Sequence, residues 1–326
     1  MRKFLLHITL FAAATLGVFL VIDILASMGL RRTPKNHLET FNTIMNDTLN
    51  NDVLILGNSR ASCGYDPYCL DSVLGCNSRN IGVSGQAFGI AELRYRIYRR
   101  HNPAPKLLIV NIDAGQLGAG ALGYEREQYY PYITDTILHE TLIQNGLTWW
   151  DLHIPLYRYR GNYKYVGLGL CNTFGIYHLK GWGYKGYFPH PAGEWHGQEL
   201  QNQLTIHGKI PCGMDSAVVQ LMDNFLYNAK QEGIQTVLVY APIYYLLEEN
   251  FAPAYDTIMA TYQAFSRKYD VPILDYHGTP MCYDTTYFYD SNHVNSLGAT
   301  IFTIRLAQDI DSLCIANSFT QQNQDK

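Results

Sequence analysis

Val53-Leu54-Ile55-Leu56-Gly57-Asn58-Ser59-Arg60 is the stretch from which the fold can be read. Four consecutive apolar residues form a short buried strand, and Gly-Asn-Ser ends it in a turn. Working outward, Asp66 to Leu74 reads as a helix and Ser78 to Ile81 as a second strand. Ile90 to Arg100 has helical periodicity, and Lys106 to Ile112 is a third strand, apolar through Leu107-Leu108-Ile109-Val110. Strand, helix, strand, helix, strand at these lengths predicts right-handed crossovers and a parallel sheet.

The rhythm resumes at Asp215, where Val218, Leu221, Met222, Phe225, Leu226 and Ala229 form a helical stripe before the strand Thr236 to Tyr240. A helix from Ala254 to Tyr269, a short strand Pro272 to Asp275 and a closing helix from Asn295 to Ile315 follow. In the closing helix, Leu297, Ile301, Ile304, Leu306 and Ile310 are available for the core. Residues 114–212 fit no sheet rhythm and hold most of the aromatic and glycine excess, so they are expected to form a large inserted cap over the sheet domain, which spans 52–326.

Ahead of the sheet, Phe4 to Met28 is an apolar run flanked by Arg2-Lys3 and Arg31-Arg32. At ~1.5 Å per residue it is long enough to cross a hydrocarbon core of ~30 Å. Its length and the poor cleavage site at Ile24-Leu25-Ala26 favour an uncleaved transmembrane anchor over residues 1–33 rather than a removed signal peptide. An anchor of this kind places the remaining chain outside the cytoplasm, and Asp23 is expected to snorkel to the interface. Residues 34–51 read as a polar linker leading into a short helix carrying Leu38, Phe41, Ile44 and Met45.

The formal charge of −4 and the absence of a Lys/Arg stripe argue against a nucleic-acid partner. Seven cysteines with no CxxC pair give no metal site, and no cofactor motif follows any expected strand. Either a disulfide among Cys63, Cys69 and Cys76 or buried free thiols would fit. The 26 Tyr and four Trp make the chain rich in amphipathic aromatic surface.

Three segments carry chemistry. Ser59 follows a strand and a glycine, where its hydroxyl is lifted clear of the sheet and nearby amides can face an oxyanion. Asn80-Ile81-Gly82-Val83-Ser84-Gly85-Gln86 again follows a short strand, and the Gly85 amide would be a second donor to developing negative charge. In Asp290-Ser291-Asn292-His293 a carboxylate three residues before a histidine can hold Nδ1–H while Nε2 faces the serine. Taken singly, each also reads as a turn or a helix cap. His190 and His196 read as surface loop residues.

In order and spacing these pieces resemble the SGNH (GDSL-like) hydrolase superfamily. Gly57-Asn58-Ser59-Arg60 is similar to its nucleophile block, Gly82-Val83-Ser84-Gly85 to its glycine block, and Asp290-Ser291-Asn292-His293 to its terminal DxxH block. With the anchor and the ending His293-Val294-Asn295-Ser296-Leu297-Gly298-Ala299, the chain resembles the membrane-anchored branch that includes D-alanyl transfer and alginate O-acetylation proteins. The resemblance spans 52–112 and 215–315. It implies a three-layer, doubly wound, flavodoxin-like α/β fold with Ser59, Asp290 and His293 as catalytic residues and the amides of Ser59 and Gly85 as oxyanion donors.

The family also places an Asn after its third strand. Here that region runs Asn111-Ile112-Asp113-Ala114-Gly115-Gln116, with Asn111 too early, inside the strand, and Gln116 the residue that could substitute. The activity implied is an extracytoplasmic serine esterase or O-acyltransferase acting on acylated envelope glycan, with a membrane-bound acyltransferase as a partner. Arg60, Trp149, Trp150, Trp182, Tyr184 and Tyr187 are the candidate substrate contacts. The alternative is a catalytically inactive carbohydrate-binding or assembly protein of the same fold.

Overall fold

The computed structural model of the chain describes residues 1–34, 36–120, 125–176 and 183–313. In chain order, α1 (Arg2–Leu30) is one unbroken helix of 29 residues, and α2 (Asn36–Asn46) follows it closely. β1 (Val53–Leu56) ends at Gly57, and α3 (Ser59–Gly64) begins directly at the serine. Asp66 caps α4 (Pro67–Leu74) by accepting from the Tyr68 amide, and Pro67 is tolerated where no helical hydrogen bond is lost. Then come β2 (Ser78–Asn80), α5 (Phe88–Arg99) and β3 (Leu107–Asn111).

The aromatic-rich stretch carries α6 (Thr136–Gln144), α7 (Trp149–His153), α8 (Lys164–Thr173) and α9 (Gln198–His207). Asp215 caps α10 (Ser216–Gln231), after which come β4 (Gln235–Tyr240), α11 (Tyr245–Glu248), α12 (Ala254–Tyr269), β5 (Ile273–Asp275) and α13 (Ser296–Ser312).

The chain forms two compact units, Met1–Asn46 with Glu125–Trp182, and Asp47–Tyr124 with Gly183–Lys326. The second is an α/β domain whose five strands are all parallel in the order β2-β1-β3-β4-β5. Alternate residues of a strand face opposite sides. Val53, Ile55, Leu107, Ile109, Val237 and Val239 therefore share one face, packed against Leu70 of α4 and Phe302, Leu306 and Ile310 of α13. On the other face α5, α10 and α12 pack, with Phe88 and Tyr95 edge-on to Phe225. The sheet is thus covered by helices on both sides, in three layers.

Two expectations change. Segment 183–212 belongs with the sheet, because the Lys185 carbonyl accepts from Asn80 N at 2.9 Å and Phe188 N donates to Ser62 O at 2.8 Å. Among the described residues of the expected cap, only 125–176 joins the N-terminal helices. In α13, Leu297, Ile301 and Ile304 are exposed, and Ala299, Phe302, Leu306 and Ile310 face the core. Gly298 sets that rotation: a Cβ there would meet the Tyr287 carbonyl oxygen at 2.2 Å, so this edge must press inward.

In the first unit, α1 is exposed over most of its length and becomes buried at Asp23, Ala26, Gly29 and Leu30. By length and composition it is apolar enough to be a membrane anchor or a signal sequence. Asp23 is 5 % exposed and ion-paired to Arg158 at 2.5 Å. Of the expected linker, α2 is part of this unit, with Phe41 packed edge-on against Tyr129 and Tyr132, and residues 47–51 belong to the second.

Candidate active site

Gly57 makes the nucleophile turn possible. Its φ of +152° is unfavourable for other residues, and a Cβ would lie 2.7 Å from Asn111 Cβ and 2.8 Å from Ala61 Cβ. Asn58 then caps α3, its Oδ1 accepting from Arg60 N at 3.0 Å. Ser59 is the first residue of that helix, so its own amide falls in the first turn, which has no intrahelical acceptor.

A buried carboxylate beneath the turn holds it in place. Asp113 Oδ2 accepts from Asn58 Nδ2 at 2.8 Å and Asn111 Nδ2 at 3.2 Å, and lies 3.5 Å from Arg60 Nη1. Its Oδ1 accepts the amides of Gly115 and Gln116 at 2.7 and 3.0 Å. Asn111 Oδ1 in turn accepts from the Tyr65 hydroxyl at 2.9 Å. Arg60, expected at the substrate, borders the cavity beside the triad but is 4 % exposed, donates to the Ala241 carbonyl and lies over the Tyr240 ring. Burial opposes its charge, but Asp113 together with Tyr240 and Tyr65 outweighs that and leaves the guanidinium pKa above its usual value.

On the loop before α13, Asp290 Oδ1 accepts the amides of Asn292 and His293 at 2.8 and 2.9 Å. Both Asp290 oxygens lie 2.9 Å from His293 Nδ1, and His293 Nε2 lies 2.8 Å from Ser59 Oγ. Burial pushes the Asp290 pKa up, but the imidazole and the two amides outweigh it and hold the carboxyl below its ordinary value. Three residues separated by up to 234 positions thus form one hydrogen-bonded chain, from carboxylate through imidazole to hydroxyl. Such a chain can take a proton from the serine while the carboxylate fixes the imidazole tautomer.

His190, expected on a surface loop, is a neighbour of the triad. Its ring stacks on Tyr289 at 4.1 Å and lies 5.4 Å from the His293 ring. Burial, then the nearby His293, lowers its pKa to about 4, so it is neutral at physiological pH. The sequence held only a weak signal for this, because His190 reaches the site through the pairing of its backbone with Asn295 and Ser296.

Beside the triad is a cavity of about 250 Å³. Asn58, Asp113, Asp290 and His293 line its polar side, and Leu200, Ile210, Leu247 and Phe251 its apolar wall. Gln116 is not among its lining residues. That side chain is 1 % exposed, has no hydrogen-bond partner among the described residues, and packs with Nε2 toward Gly57. Gly85, also absent from that lining, is exposed at a turn with φ of +67°.

The aromatic candidates are dispersed. Tyr187 is 6 % exposed in a cluster with Phe288, Val294 and Ala299, so it is core rather than a platform for a sugar. Tyr184 is half exposed, its backbone paired with that of Tyr187. Trp149 and Trp150 are exposed on α7 in the first unit. Trp182 lies outside the described residues. The six described cysteines of the chain are free thiols, which answers the question left open for Cys63, Cys69 and Cys76; Cys314 lies outside the described residues.

No family model matches the chain, and no curated protein matches it. Solved structures do align with it, two of them as follows. A proposed acylhydrolase of Bacteroides fragilis NCTC 9343 shares 14 % identity over 80 % of this chain and 86 % of its own, with a TM-score of 0.35. A protein of Streptococcus pneumonia described as a proposed platelet activating factor shares 11 % identity over 93 % and 98 %, with a TM-score of 0.36.

Proposed function

We propose that the chain is a serine ester hydrolase or O-acyltransferase of SGNH type, working through an acyl-serine intermediate. The hydrogen-bonded line from Asp290 through His293 to Ser59, at 2.9 and 2.8 Å, carries this reading. His293 takes the Ser59 proton as Oγ attacks an ester carbonyl, and the imidazolium is stabilised by Asp290. The tetrahedral oxyanion is held by the amides of Ser59 and Gly85. Collapse expels the alcohol, which takes its proton from His293. Water or a second hydroxyl then attacks the acyl-serine, giving hydrolysis or transfer.

The Gln116 side chain is 1 % exposed, with Nε2 packed toward Gly57, so in this reading the hole has two backbone donors. Its turnover is then lower than that of a three-donor site, by about the 10²- to 10³-fold that one donor supplies. Acylated envelope glycan is the substrate class, and the outside of the membrane is the working location, as the apolar α1 suggests.

The test is labelling by a fluorophosphonate together with hydrolysis of p-nitrophenyl acetate. Both are expected in the intact chain and absent in Ser59→Ala and His293→Ala. Labelling that persists in Ser59→Ala, or a folded intact chain inert to both reagents, would overturn the proposal and favour the binding-protein alternative.

A further inference from the structure

Within the first unit, α1 changes character at one point. From Phe4 to Val21 its large side chains are 44–74 % exposed, whereas Asp23, Ala26, Gly29 and Leu30 are buried. Arg2 to Ile22 measures about 31 Å along the axis, which matches the thickness of a hydrocarbon core. The remainder of the helix is packed by protein along one face, with Ile24 and Met28 still 50 % and 41 % exposed. Gly169 of α8 lies so close that a Cβ there would be 2.2 Å from the Ala26 carbonyl oxygen.

Two separate segments are pinned at the changeover. Leu156 N and Arg158 Nη2 both bond the Asp23 carboxylate, at 3.4 and 2.5 Å, which places Tyr157 at that level. Tyr157 is tied back to α7 by its own amide on the Ile154 carbonyl, and Ile154 N bonds Trp150 O. The second segment is the end of α8, where Thr173 Oγ1 donates to the Leu25 carbonyl at 2.6 Å. Both segments display large apolar side chains to solvent: Trp149 58 %, Trp150 55 % and Tyr157 37 % on one, Phe174 62 % and Ile176 68 % on the other. Monomeric soluble surfaces seldom group such residues, and Trp and Tyr concentrate where hydrocarbon meets headgroups.

We propose that Trp149, Trp150, Tyr157, Phe174 and Ile176 form a second membrane contact, seated in the headgroup–acyl boundary of the bilayer that α1 crosses. The proposal rests on α1 being a retained span, and it assigns Trp149 and Trp150 to lipid rather than to sugar.

The experiment uses the full chain in vesicles of phosphatidylcholine and phosphatidylglycerol, with part of the phosphatidylcholine brominated on its upper acyl carbons. Because α1 contains no tryptophan, quenching of Trp emission is independent of the span, and the part lost in the double variant separates Trp149 and Trp150 from Trp182 and Trp195. Strong quenching is expected in the intact chain and its loss in Trp149→Gln/Trp150→Gln, whose folding is checked by melting temperature. Carbonate extraction reports α1 independently. A chain that resists carbonate but shows no quenching, or equal quenching in the double variant, overturns the second contact and leaves the anchor standing. A folded chain released by carbonate overturns both. Emission from Trp149 and Trp150 that responds to envelope polysaccharide and not to brominated lipid overturns the proposal in favour of a sugar platform.

Discussion

A buried carboxylate surrounded by five donors has no neutral substitute, and Asp113 is in that position beneath Ser59. Asp113→Asn turns an amide NH₂ toward donors and strands the Arg60 charge. Loss of about 3–5 kcal/mol is expected, as for breaking other buried pairs, and a denaturant midpoint measures it. Asp290→Asn should leave stability nearer to wild type while lowering ester turnover by about 10⁴-fold, since it removes the group that fixes the imidazole tautomer. Replacing Gln116 by Met should reduce turnover by far less than the ~10² of a true oxyanion donor. His190 makes a prediction about pH. Folded, it stays neutral to about 4, against 6.5 for the free imidazole. Between those values the unfolded chain binds more protons, so this contribution to stability is full above about 6.5 and is lost as pH falls toward 4. His190→Phe should flatten melting temperature against pH over that window.

At the scale of elements, α13 both closes the sheet and presents the histidine. Asn295, two residues after His293, caps it by accepting from the Leu297 and Gly298 amides at 3.0 and 3.1 Å, and its Nδ2 bonds the carbonyls of Thr286 and Phe288. Asn295→Ala should cost at least the ~1 kcal/mol of a lost cap and also depress turnover, because the loop holding His293 loosens; parallel melts and ester assays would show both. The strands and their flanking helices were legible in sequence because a strand buried on both faces is uniformly apolar, as Val53–Leu56 and Leu107–Val110 are. The residues of the triad were legible through their turns and caps. What was not legible depends on contacts distant in sequence. The face of α13 is set by the Tyr287 carbonyl against Gly298, the burial of Arg60 by Asp113, and the place of His190 by a backbone pairing with Asn295.

At the scale of the molecule, the division into units follows contacts that composition does not reveal. The aromatic excess suggested one insertion, but 125–176 is built around α1 and α2, and 183–212 around the sheet. A chain lacking residues 2–20 should therefore keep the first unit intact, whereas one lacking 2–31 leaves the Arg158 guanidinium buried without its carboxylate. Limited proteolysis should cut 125–176 rapidly only in the shorter chain. α1 also runs without a break from its bare half into its packed half. On the anchored reading, no hinge separates the lipid-embedded rod from the unit it carries. That unit then cannot swing freely as on a flexible leash: its height above the bilayer is set in steps of helix rise, and any tilt of the rod rotates it by the same angle. Changes in bilayer thickness would thereby be transmitted mechanically to its orientation.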